Sequence, residues 1–106
     1  MKTENVRLQR ILEMLKSSPE DSFLLFAAAQ EYTKQQEYEN ARKFYTELLL
    51  LHPNYTGAYL HSGKLHELTK NESLAIAEYK KGIEICKKMN ASHDLNELQA
   101  ALINLE

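Results

Sequence analysis

Apolar residues recur at helical spacing along almost the whole chain of 106 residues. Val6, Leu8, Ile11, Leu12 and Leu15 form a broad stripe, with Lys2, Arg7, Arg10 and Lys16 facing water. They predict a first helix from after Thr3 to near Ser17. Ser18-Pro19-Glu20-Asp21 then reads as a helix start, with Ser18 as cap, Pro19 at the first helical position and Asp21 reaching back to the cap. The helix it opens runs to Lys34 and places Leu25, Ala28, Ala29 and Tyr32 on one face. Gln35-Gln36 interrupts the pattern. A third helix over 37–51 turns Ala41, Phe44, Tyr45, Leu48 and Leu51 inward, and His52-Pro53-Asn54 stops it, because a residue before proline disfavours helix. A fourth helix covers 55–68, with Tyr59, Ser62, Gly63 and His66 in the equivalent places. Asn71 reads as the N-cap of a fifth, which runs to about Met89 with Ala75, Tyr79, Ile83 and Ile85 inward. Asp94 and Glu97 fit a capping box for a last helix striped by Leu95, Leu98, Leu102 and Leu105.

The helices repeat as pairs. Pro19 and Pro53 lie 34 residues apart, and Ala41 and Tyr45 recur as Ala75 and Tyr79 at the same interval. Leu25 is answered by Tyr59, Ala29 by Gly63 and Leu51 by Ile85. A fixed period in this range marks stacked helical repeats whose unit is a helix pair.

Those residues resemble the tetratricopeptide pattern, W-x2-L-G-x2-Y followed by A-x3-F and P. One copy is Leu25, Ala28-Ala29, Tyr32, Ala41, Tyr45 and Pro53; the other is Tyr59, Ser62-Gly63, His66, Ala75 and Tyr79. Leu25 stands in for the aromatic residue, Ser62 for leucine and His66 for tyrosine, and Lys87 replaces the second proline. Lys87 implies that the fifth helix runs on before the chain reverses. The resemblance implies an all-α domain over residues 1–106, a right-handed superhelical stack of antiparallel helix pairs. It comprises an N-terminal half-repeat helix over 4–17, repeats over 22–55 and 56–89, and a capping helix over 92–105. It is similar to small stand-alone bacterial proteins of this family.

The resemblance also implies that a peptide or helix of another protein lies on the concave face made by the first helix of each repeat. The residues it points to are Phe23, Phe26, Gln30, Thr33 and Lys34 in the first repeat, and Leu60, His61, Lys64 and Glu67 in the second. Phe26 and Leu60 are equivalent and apolar, which suits an anchor pocket. The competing reading is that Phe23 and Phe26 pack against the first or last helix, as aromatics at helical spacing commonly do. Some members of the family clamp chaperone C-termini with Lys and Asn. Phe26, Gln30 and His61 hold the corresponding places, so no such binding is expected. A structural alternative is a weak homodimer joined through Leu49, Leu50 or Phe23.

Composition narrows the rest. A chain this long buries roughly 65% of its unfolded surface. Thirteen basic and 15 acidic residues leave a net charge of -2, with no general attraction to nucleic acid or anionic membrane. Lys80, Lys81, Lys87 and Lys88 are punctuated by Glu78 and Glu84 and read as a solvated face. No apolar run approaches a membrane span of roughly 18 residues, and the N-terminus lacks the apolar core of a signal peptide. With a single cysteine, Cys86, no internal disulfide forms, and a cytoplasmic location is expected. His61 and His66 are five apart and no His–Cys spacing matches a zinc pattern, so no metal or other cofactor is expected. Cys86, near a helix C-terminus, reads as a passive thiol. No phosphate loop, nucleophile elbow or acid–base pair is present, so no catalytic residue is assigned.

Overall fold

The computed structural model describes residues 5–106. Lys2 and Thr3 lie outside them. Among the described residues there are six α-helices and no strand. They are α1 (Val6–Ser17), α2 (Ser22–Lys34), α3 (Tyr38–Leu51), α4 (Gly57–Leu68), α5 (Glu72–Met89) and α6 (Ser92–Leu105). The chain divides into two compact units, one ending at Leu51 and holding α1 to α3, the other His52–Glu106 with α4 to α6. No helix among the described residues is long and apolar enough to cross a membrane.

The helix ends correct several capping expectations. Asn5 caps α1, its side chain accepting from the Leu8 amide at 2.9 Å. Ser18 closes α1 instead of opening α2: its amide donates to the Met14 carbonyl at 3.0 Å, and its backbone is bent away from helix by the proline that follows. The cap of α2 is Asp21, whose Oδ1 accepts from the Leu24 amide at 3.0 Å. Asn71 stands at the start of α5 but its side chain makes no capping bond; it donates to Thr69 Oγ1 at 3.2 Å. No capping box forms at Asp94, because α6 begins two residues earlier and the Asp94 carboxylate accepts from Thr56 Oγ1 at 2.7 Å. Helix α4 starts at Gly57, two residues after the expected Tyr55.

Three helices end alike. Gln36, Lys70 and Asn90 adopt positive φ of 62°, 64° and 56°, and the next amide returns to the carbonyl five residues back. These are Schellman closures, built here without glycine. Gln36 and Lys70 are 34 residues apart, so the backbone turn obeys the same period as the side chains. As Lys87 implied, α5 runs on to Met89.

In the first unit, α2 and α3 meet through small residues. Ala28, Ala29 and Ala41 are fully buried, and Leu25, Tyr45 and Leu48 close over them. Tyr32 stacks on Phe44, ring centroids 5.6 Å apart. Leu8, Ile11 and Leu15 bury one side of α1, whereas Val6 of the expected stripe is exposed. Leu51, expected inward, is exposed, and Leu49 takes a buried place instead. Leu49 is therefore not available as a dimer contact, while Leu50 and Phe23 remain exposed.

In the second unit a glycine decides the packing. A Cβ on Gly63 would lie 2.1 Å from Tyr79 Cε1, so α4 sits directly on the tyrosine ring. Gly82 is equally close to Tyr59 Cβ, at 2.6 Å, and to Leu98 Cδ1 of α6, at 2.9 Å. The buried stripe of α5 is thus Ala75, Tyr79, Gly82 and Cys86; Ile83 and Ile85 are only half-buried, one step off the axis that Gly82 brings closest to α4 and α6. Polar contacts latch the pair. Ser62 Oγ donates to Glu78 Oε2 at 2.6 Å, the Tyr79 hydroxyl donates to Glu67, and the Tyr59 hydroxyl donates to the Pro53 carbonyl at 2.6 Å.

Gly63→Ala is expected to destabilise the protein by about 1–3 kcal/mol despite alanine's better helix propensity, because the fully buried Tyr79 ring cannot withdraw. Gly57→Ala, with no atom within 4 Å of the new methyl, should be neutral or stabilising by up to about 1 kcal/mol. Urea midpoints of the two variants measure the contrast.

Candidate functional site

Helix α2 presents three faces. Leu25, Ala28 and Ala29 are buried in the seam with α3, and Leu24, Ala27 and Glu31 are buried towards α1. Phe26, Gln30, Thr33 and Lys34 lie off both seams, half-buried except for the exposed Lys34. Phe26 meets Tyr45 edge-on at 6.3 Å and 63°, so its ring is held by α3 while part of it stays accessible. Thr33 Oγ1 donates back to the Ala29 carbonyl at 2.8 Å. Burial pushes the Tyr45 phenol up to about 12, opposed by its hydrogen bond with Thr33. Phe23 does not join this group: it is 67% exposed and faces a cleft shared with α1.

Lys34 is anchored by Glu31, Nζ to Oε2 at 3.5 Å. Glu31 is the one carboxylate on the buried side of α2. It also accepts from Arg7 Nε at 2.8 Å and Asn5 Nδ2 at 3.3 Å. Burial alone would raise its pKa, but the Asn5 amide, the Lys34 charge and the Arg7 guanidinium together hold it below the ordinary carboxylate value. Glu31 was not among the residues the sequence singled out. An acid four residues before Gln35, on a helix otherwise rich in alanine, carries no periodic signal that marks it as buried.

On α4, His61 and Lys64 are exposed and Leu60 is half-buried, as on the equivalent face of α2. Partial desolvation lowers the His61 pKa, against the opposing pull of Glu97 and Asp94 on α6. Glu67 has a structural task, since its carboxylate accepts the Tyr79 hydroxyl. That bond, added to burial, drives the Tyr79 phenol well above its ordinary value. Cys86 is fully buried, and burial followed by the charge of Asp94 raises its thiol pKa.

The start of α6 brings together a group that spacing did not suggest. Ligand atoms of His93, Asp94 and Glu97 lie within 4.8 Å of one another. Asp94 is occupied by Thr56, and His93 and Glu97 form an open surface pair at 3.6 Å. The arrangement is that of an ordinary exposed first turn.

No family model matches the chain, and no curated protein does. Solved structures do. The chain is 37% identical to the tetratricopeptide repeat domain protein of Salinibacter ruber in its crystal structure, over 81% of this chain and 96% of that one, with a TM-score of 0.76. A solution structure of a tetratricopeptide repeat domain protein from the same organism gives 39% identity over 83% and 89%, with a TM-score of 0.79. The chain belongs to the tetratricopeptide repeat family. A Bordetella parapertussis protein shares the fold at 19% identity, with a TM-score of 0.82 over 97% of this chain and 89% of that one. In this tetratricopeptide repeat protein the two motif copies fall on the pairs α2–α3 and α4–α5. The expected all-α class and family are both found. Replacing the pattern's leucine by Ser62 is explained by its bond to Glu78.

Glu31→Gln should cost about 1–3 kcal/mol near neutral pH, since Arg7 and Lys34 lose their charged partner. A depressed folded pKa stabilises fully above the unfolded value near 4.5 and loses its effect as pH falls through the lower folded value. Denaturant midpoints taken in steps of pH should therefore separate wild type from variant at neutrality and converge below 4.5.

Proposed function

We propose that this tetratricopeptide repeat protein is a non-catalytic interaction module. It holds a peptide or helix of another protein against α2 and α4, the first helices of its repeats. The observation that carries this reading is the matching pair of unspent faces. On α2 the half-buried Phe26 and Gln30 sit beside the exposed Lys34; on α4 the half-buried Leu60 sits beside the exposed His61 and Lys64. Each face offers one apolar anchor flanked by a cation or histidine, off the stripe that the fold itself consumes. Phe26 is held in advance by Tyr45, which reduces the ordering cost of binding. Glu67 contributes through Tyr79 and the shape of α4, not as a direct contact.

Two repeats offer limited area, so the affinity is modest, about micromolar. Crosslinking in native cells followed by mass spectrometry names a partner, and calorimetry with the purified pair tests the face. Lys64→Glu and Phe26→Ala should each weaken binding by about tenfold, equivalent to about 1.4 kcal/mol, with helical circular dichroism retained. Unchanged affinity in both variants would remove α2 and α4 as the binding surface.

A further inference from the structure

We propose that the cleft between α1 and α2 is a docking site for helix α6 of a second copy of this chain. The cleft has a volume of about 510 Å³ and is walled by Arg7, Arg10, Ile11 and Met14 from α1 and by Phe23 and Leu24 from α2. Met14 and Phe23 are 50% and 67% exposed, the kind of apolar surface a helix normally buries.

The repeat register shows what shape of partner fits. Counting back 34 residues, Ala41, Tyr45 and Leu48 of α3 correspond to Arg7, Ile11 and Met14 of α1; counting forward, they correspond to Ala75, Tyr79 and Gly82 of α5. On α3 these positions are covered by α2, and all three are buried. On α5 they are covered by α4, whose Gly63 rests on Tyr79 and whose Tyr59 rests on Gly82. Within the second unit, α4 thus fills the corner between α5 and α6. The corner between α1 and α2 has the same composition of elements, yet no described helix fills it. A helix is therefore the occupant the register calls for.

The chain itself offers that helix. Helix α6 buries Leu98 and Ala101 against α5, and no second helix follows it to make a pair. Its opposite side, with Asn96, Gln99, Ala100 and Ile103, is exposed, and Ile103 is 71% so. Charge agrees with the match. Helix α6 and its C-cap carry Asp94, Glu97 and Glu106 and neither lysine nor arginine, whereas the cleft is rimmed by Arg7 and Arg10. Arg10 forms no ion pair with another described residue. Docking of α6 onto α1 would complete one helix pair from two copies. The two faces differ, so the contact is heterologous: each copy keeps one cleft and one α6 free, and association extends or closes into a ring.

Sedimentation equilibrium from about 10 μM to about 1 mM tests this, the range suited to a small contact. The wild-type average mass should rise with concentration. Met14→Glu, which spoils the cleft, and Ile103→Glu, which spoils α6, should each stay monomeric with unchanged circular dichroism. Val6→Glu, on the same cleft wall, replaces Met14→Glu if that variant loses its fold. An equimolar mixture of the cleft variant and Ile103→Glu retains one intact cleft and one intact α6, so it should level off at twice the chain mass. A wild type that is monomeric throughout overturns the proposal. So does a single variant that still associates, or a mixture no heavier than its parts. Neither substitution touches the α2 and α4 residues assigned to a partner protein, so partner affinity and self-association fail independently.

Discussion

The fold turns on a helix backbone lying against a tyrosine ring. Gly63 leaves no room for even a methyl group over Tyr79, and Gly82 leaves none beneath Tyr59 and Leu98. Such approach converts two slender helices into a seam with many dispersion contacts, each worth only about 0.1–0.2 kcal/mol but numerous. It also fixes depth. A tyrosine whose ring is fully buried must satisfy its hydroxyl at the far end, and here the hydroxyls of Tyr79 and Tyr59 reach Glu67 and the Pro53 carbonyl. The ring therefore acts as a gauge between its glycine neighbour and its hydrogen-bond partner. In the first unit the same seam is built with Ala28, Ala29 and Ala41, and Tyr45 again lies beneath.

This logic is why so much of the architecture was legible. Small and aromatic residues at matching positions of successive helices define both the stripe and the period, and the stripe is what the seam buries. The six helices lie within a few residues of the expected bounds, and the motif copies fall on the pairs α2–α3 and α4–α5. The caps were less legible for a physical reason. Ser18, Asp21, Asn71 and Asp94 can all accept a backbone amide, and one residue of displacement decides which does. Asp94 shows the competition directly: its carboxylate serves Thr56, across 38 residues, in preference to its own helix. Closure by a left-handed Gln36, Lys70 or Asn90 leaves even less trace, since the residue types that favour that conformation most are absent from the first two.

The candidate site divides along the same line. Phe26, Gln30, Lys34, Leu60, His61 and Lys64 lie off the packing stripe, as helical periodicity alone requires. Periodicity could not separate Glu67 from them, because its engagement depends on a phenol arriving from α5. Nor could it join Phe23 to α1, or place Glu31 among Asn5, Arg7 and Lys34, since those are contacts between helices of different register. Position on a wheel says which side chains are left over; only tertiary structure says which of those have other employment.

Helix α1 sharpens that distinction. At the register position where α3 and α5 carry fully buried alanines, α1 carries Arg7, and where α3 carries buried Leu48, α1 carries half-exposed Met14. Under a covering helix of this chain an arginine there would be a buried charge in need of a partner, and a methionine would overfill a space made for a closer approach. Uncovered, both are tolerated, and Arg7 is tied down by Glu31 at the rim. The residue between them, Ile11, is nonetheless as buried as the core of either pair. A face that keeps its apolar centre, widens its apolar wall and places guanidinium groups at its edge is shaped differently from a cut surface that merely tolerates water. It has the make-up of a contact that forms and dissolves, with charges to align a partner and only a narrow apolar strip to hold it.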